Sequence, residues 1–302
     1  MSQLLATKPT PAYGFAETAL QRRLARHLRH CLTPRVEEDI ERQHWSPAAV
    51  ELQDFLRREQ RLAAELVRSL PSPVPSSMPY DPDAFIAWFE DLEIHGPGQG
   101  DPLFSWLESS ADEESMRWFL RQELAGEAGF DDLVAMALVR MPARPKMEMA
   151  RNLWDEFGRG HPAGVHGILL AQMADELGIT CSIDAATAET LALGNLMAGL
   201  AVERLAYQAV GALGVIELTA PGRVACVAAG MRRLGMPPST RRYYELHATL
   251  DIEHARRWNA EVLRPLVAAD ARIAPLLAQG ALMRLEAGRR CFTRYRAILS
   301  VP

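Results

Sequence analysis

The sequence predicts an all-α protein, and three observations carry that prediction. Apolar residues recur three and four apart along nearly every segment, strand-type alternation is almost absent, and clusters of glycine and proline separate the helical stretches.

In the N-terminal part, segments 21–28, 36–43, 48–70 and 82–92 all carry this helical spacing. Ser46 followed by Pro47 is a good helix start, a capping side chain ahead of a proline whose missing N–H costs nothing in the first turn. The run PSPVPSSMP (71–79) cannot sustain a helix and reads as an extended connector. Residues 1–79 are therefore expected to form an N-terminal helical arm with its connector, and residues 80–302 the main bundle. Within that bundle helices are expected at 112–125, 130–139, 146–157, 163–177, 185–210, 220–234, 240–261 and 276–297. Breaks are expected at GRGHP (158–162), TAPGR (219–223) and GMPPS (235–239).

The chain has 302 residues, 48% of them hydrophobic, enough for one large domain with an extension. A formal net charge of −5 argues against nucleic acid. Arg22, Arg23, Arg26 and Arg29 lie among leucines at helical spacing and read as a solvated face. Cys31, Cys181, Cys226 and Cys291 are far apart, which argues against a disulfide framework or a thiolate zinc site. MSQLLATKPTPAYGF lacks the layout of a signal peptide. The most apolar stretch, 185–202, holds Glu189 and runs into Glu203, which suits a buried helix better than a membrane span. A cytoplasmic protein with no membrane partner is expected.

The strongest local signal is YYELHATLDIEH (243–254), where His247, Asp251 and His254 stand four and three residues apart. On a helix these offsets fall in one narrow stripe, so two imidazoles and a carboxylate can converge on a cation. With eight histidines in the chain, this triple seldom arises by chance, although a polar helix face would also explain it. A second signal is NLWDEFGRGHPAGVH (152–166): Glu156 ends one helix, a glycine-rich turn follows, and His166 opens the next. His161, followed by proline, reads as a loop residue. Glu217 stands between Ile216 and Leu218, where a bare carboxylate is costly to bury. It either ligates a cation or pairs near the TAPGR break, with Arg223 the candidate partner. Three carboxylates and three imidazoles suit iron or manganese better than a soft metal, and six ligands suffice for two ions in a helix bundle. A ferritin-like site needs paired Glu-x-x-His repeats. Only Glu41 and His44 have that spacing, in the arm, and they read as surface.

On these segments, together with FLRQELAGEAGFDDLVAMAL (119–138) and GMRRLG (230–235), the sequence resembles the haem-oxygenase-like di-iron oxygenases, a group of iron-containing redox enzymes. The resemblance runs from about residue 104 to His254. It implies that Glu156, His166, Glu217, His247, Asp251 and His254 ligate two Fe(II) ions, with no haem. It implies a haem-oxygenase-like seven-helix bundle, to which the N-terminal arm is an addition suited to dimerisation, so a homodimer is expected. Some members recruit a further carboxylate from the first core helix; Glu127 is the first candidate and Glu123 the second. The chemistry implied is activation of O₂ against a small-molecule substrate, with an external electron donor allowed for. N-oxygenation of an amine or amino-acid-derived substrate is preferred. The alternatives are oxidative C–C cleavage, desaturation or cyclisation of an amino acid or fatty acid, and a thiaminase-like hydrolase in which Cys226 would be the nucleophile. Tyr243 and Tyr244 are candidates for the substrate pocket. Arg241 and Arg242 read as rim or surface residues, and Asn152, Trp154 and Asp155 as supports of the ligand shell.

Overall fold

The computed structural model describes residues 13–33, 47–69, 80–126 and 130–302. In chain order the helices are α1 (Phe15–Leu32), α2 (Pro47–Ser69), α3 (Pro82–His95), α4 (Pro102–Ser109), α5 (Glu113–Gly126), α6 (Phe130–Ala137) and α7 (Ala143–Glu156). They continue with α8 (His166–Glu176), α9 (Ala188–Val202), α10 (Ala206–Arg233), α11 (Pro238–Arg257), α12 (Arg264–Ala269) and α13 (Ala274–Leu299). A π-helical turn, Trp258–Leu263, joins α11 to α12. Among the described residues there is no strand beyond an isolated bridge between Phe157 and Val165. The expected all-α bundle is what forms.

Several helix starts follow from local chemistry. The Asp81 carboxylate accepts the Ala84 N–H at 2.9 Å and Asp101 accepts that of Leu103 at 3.0 Å, each ahead of a proline in the first turn. Thr187 Oγ1 accepts the Thr190 N–H at 3.2 Å and opens α9.

Helix α10 is the axis of the molecule, packed against α11, α13, α4 and α3. It approaches α13 closely because glycines face the contact: a Cβ at Gly211 would lie 1.9 Å from the Leu277 carbonyl oxygen. Among the described residues α10 is also the one helix that is by itself long and apolar enough to cross a membrane, and it is largely buried by its neighbours. The arm helices lie on the bundle: α1 against α9, α2 against α13. Leu24, Leu28, Leu52, Phe55 and Leu56 share one core with residues of α9, α10 and α13.

Two breaks differ from expectation. TAPGR interrupts nothing, and α10 runs straight through Pro221. A proline inside a helix costs about 3 kcal/mol, but both flanks, Ala209–Val215 and most of 227–231, are buried against neighbouring helices. Packing on either side overrides the local penalty. The break falls instead at residues 203–205, inside the helix expected over 185–210. There Arg204 takes φ 56° and its guanidinium donates to the Met136 and Val139 carbonyl oxygens at the end of α6. No glycine or proline marks the spot.

The connector at 71–79, Glu41 with His44, and Glu127 lie outside the described residues.

Candidate metal centre

Glu156 is the last residue of α7 and His166 the first of α8. Between them the chain doubles back tightly: Gly158, Arg159 and Gly160 all take positive φ, and the Phe157–Val165 bridge closes the loop. Gly158 is required twice over, by its φ of 60° and because a Cβ there would lie 2.4 Å from the Gly164 carbonyl carbon. The turn brings His166 Nδ1 to 2.6 Å from Glu156 Oε2, both side chains buried. His161 sits in the loop, exposed.

Helix α11 carries His247, Asp251 and His254 on one face, as the spacing predicts, and α10 delivers Glu217 opposite. His254 Nδ1 lies 3.3 Å from Glu217 Oε2 and 3.9 Å from Asp251 Oδ1. The His166 and His247 rings are 4.5 Å apart, centre to centre. Two clusters result, Glu156–His166–His247 and Glu156–Glu217–His254, each with its donor atoms within 4.8 Å of one another. Glu156 belongs to both. Asp251 borders them, lining the same cavity as Glu156, His166, Glu217 and His247.

Surrounding groups fix these side chains. The Asn152 amide donates to Glu217 Oε1 at 2.7 Å, and Asp155 Oδ2 lies 3.1 Å from His254 Nε2. His247 Nδ1 donates to the Tyr243 carbonyl oxygen at 2.7 Å, which leaves its Nε2 lone pair for the cavity. Trp154 is exposed and lies over Gly160. Burial opposes charge on the His254 imidazole, but the Glu217 carboxylate beside it, joined by Asp155, lifts its pKa to about 9. Burial, then the neighbouring His166, holds that of His247 below the ordinary value. Asp155 feels burial first, yet hydrogen bonds from Arg159 and His254 hold its carboxyl below the usual range.

A family model described as iron-containing redox enzyme matches residues 117–289, more than half of the chain. The protein belongs to that family. No curated protein matches it.

As an iron-containing redox enzyme of haem-oxygenase-like fold, the chain must offer iron a set of donors, and the cluster fits. His166 Nδ1 and His254 Nδ1 are buried without a well-formed hydrogen bond, although a carboxylate oxygen lies 2.6 Å from the first and 3.3 Å from the second. Lone pairs that face one another without an aligned proton are suited to a shared cation. Mixed carboxylate and imidazole donors suit iron.

The cavity beside the cluster has a volume of about 250 Å³. Tyr243 and Tyr244 both line it, as do Leu170, Ile216, Ala220 and Val224. Arg241 pairs with Glu245 and Arg242 is exposed. Cys226 does not line this cavity; it faces Glu108, and its thiol pKa is raised chiefly by burial, so Cys226 is not placed as the nucleophile of the hydrolase alternative. The Glu217 carboxylate turns to Asn152 and His254, whereas Arg223 donates to Gln99 and Thr219. Glu123 lines the cavity. So does Asp131, which sequence reasoning passed over because Asp131–Asp132 reads as an ordinary acidic first turn.

Proposed function

We propose that the protein is a non-haem di-iron oxygenase that oxidises a small metabolite, by preference through N-oxygenation of an amine or amino-acid-derived substrate. One observation carries this reading: a single buried carboxylate, Glu156, is common to two donor clusters, one completed by His166 and His247, the other by Glu217 and His254. A lone metal needs no such sharing. Asp251, in the same cavity wall, is the sixth ligand on this reading.

Two ferrous ions held there would supply electrons and open coordination positions for the reduction of dioxygen. The chain's own part is positional. Asn152 holds the Glu217 carboxylate, Asp155 holds the His254 ring through Nε2, and the Tyr243 carbonyl fixes the tautomer of His247. His247 then offers Nε2, while His166 and His254 offer Nδ1. Leu170, Ile216, Ala220 and Val224 keep the substrate side apolar and poor in water, and a cavity of about 250 Å³ admits a small molecule only.

Anaerobic titration with Fe(II) tests the reading, with saturation expected at two ions per chain. Aerobic turnover on an amine and amino-acid library should then place oxygen-18 from O₂ in the product. Absence of iron uptake, or uptake unchanged in His247→Ala, overturns it.

A further inference from the structure

Behind the main cavity lies a second of about 60 Å³. The two share Glu123, Ile216, Ala220, Val224 and Tyr244 as walls, so the smaller adjoins one end of the larger. Arg284, on α13, lines the smaller cavity. Only 9% of it is exposed, and its Nε is buried with no hydrogen-bond partner. Among the described residues no carboxylate lies within ion-pair distance of its guanidinium. Glycine at position 288 leaves the room it occupies, since a Cβ there would come within 3.0 Å of Arg284 Nη1.

A guanidinium keeps its charge at any physiological pH, and a buried one without a counter-charge is costly. Arg223 lines the same cavity, donating to the neutral oxygens of Gln99 and Thr219 and lying over the Phe104 and Phe292 rings. Among the described residues, the one acid on the wall there is Glu123. The main cavity is the reverse, lined by Glu123, Asp131, Glu156, Glu217 and Asp251, with no lysine or arginine among the described residues. Among the described residues lining either cavity, Arg223 and Arg284 are thus the permanent cations. A planar, forked donor matches a carboxylate in shape and charge. The smaller cavity, at about 60 Å³, has room for a group of that size.

We infer that Arg284 anchors a carboxylate of the substrate in the smaller cavity, which makes the substrate a small organic acid, amino acids included, whose opposite end faces the Glu156 cluster. The inference deepens the proposed function and rests on it for what then happens to the anchored molecule, but not for the anchoring itself.

The test uses the full chain after chelation, so that no metal can take the carboxylate. Straight-chain monocarboxylates from butyrate to octanoate, and the matching neutral amides, are titrated calorimetrically. At least one acid should bind saturably and about tenfold more tightly than its amide. Arg284→Gln should remove that preference while Fe(II) uptake stays as in the wild type. Arg284→Lys, which keeps charge and stem, serves if the glutamine variant does not fold, and should weaken the acid by about tenfold while leaving the amide unchanged. Equal binding of acid and amide by the wild type, or acid binding unaltered in the variant, overturns the inference. Acid binding by a chain that takes up no iron would sink the di-iron reading and leave the anchor standing.

Discussion

The consequence of sharing Glu156 between two clusters is an asymmetry among substitutions that look alike on paper. His247 belongs to one cluster and Glu217 to the other. Loss of either should leave the opposite set of donors intact, whereas loss of Glu156 removes a donor from both. Iron bound per chain after anaerobic loading and desalting should fall by about one ion in His247→Ala and in Glu217→Ala, and to near zero in Glu156→Ala. Glu156→Ala retaining as much iron as His247→Ala would mean that the carboxylate is not shared. Thiols give a second prediction at this scale. Cys181 is exposed, whereas burial, reinforced by Glu123, pushes Cys291 up to about 12. Alkylation of the native protein at pH 8 should therefore label Cys181 and spare Cys291 until the chain unfolds. The sign of the stability effect follows. The folded-state pKa lies above that of an unfolded thiol near 8.5, so the contribution is complete below about pH 8.5 and is lost as pH rises toward 12. The burial-raised hydroxyl of Tyr295 acts in the same direction. A denaturation midpoint that rises between pH 8.5 and 11 would contradict this.

Among the elements, the turn between α7 and α8 decides whether the site exists. Arg159 holds φ 54° in that turn and is tolerated, so a positive φ alone is affordable there. At Gly158 the added cost is steric, because a Cβ 2.4 Å from the Gly164 carbon cannot be relieved by rotating a side chain. Gly158→Ala should therefore lose on the order of 1–3 kcal/mol, read as a lower melting temperature, and should draw Glu156 and His166 apart. Iron uptake would fall with it, and a variant with wild-type uptake and melting would count against this account of the turn. This element was legible in the sequence because glycines and a proline mark it, and the His247, Asp251 and His254 stripe was legible because a helix fixes side-chain direction by spacing alone. The middle of the chain was not. Pro221 reads as a break, yet packing on both flanks of α10 outweighs it; Arg204 reads as nothing, yet its guanidinium reaches the carbonyls ending α6 and turns the chain. Arg284 was equally silent, since no local pattern distinguishes an arginine that faces a cavity from one that faces water. Such features depend on contacts remote in sequence, which helical periodicity does not carry.

At the scale of the whole molecule, the arm helices bear on the bundle through charge as well as apolar packing. The Arg290 side chain of α13, 9% exposed, lies between Glu59 of α2 and Glu286 of its own helix, at 3.0 Å and 3.1 Å. The Tyr13 hydroxyl lies 3.3 Å from Arg290 Nη1, and Glu286 is held also by Arg289. Removing Arg290 leaves Glu286 with a partner but Glu59, 6% exposed, with a buried charge and no cation among the described residues. Arg290→Met should therefore destabilise by about 3–5 kcal/mol. Adding Glu59→Gln removes the stranded charge, so the double variant should recover part of that loss, and the coupling between the sites should be well above the few tenths expected of independent positions. Guanidinium denaturation followed by far-ultraviolet circular dichroism and by tryptophan fluorescence reads both quantities. Five of the six tryptophans lie outside the arm, at positions 88, 106, 118, 154 and 258, so fluorescence reports chiefly on the bundle. If α2 and α13 unfold as one unit, the two signals move together in every variant and the whole transition shifts. Should Arg290→Met leave the fluorescence transition in place and cost less than about 1 kcal/mol, the arm would be a loosely attached addition whose charge pair stabilises nothing beyond itself.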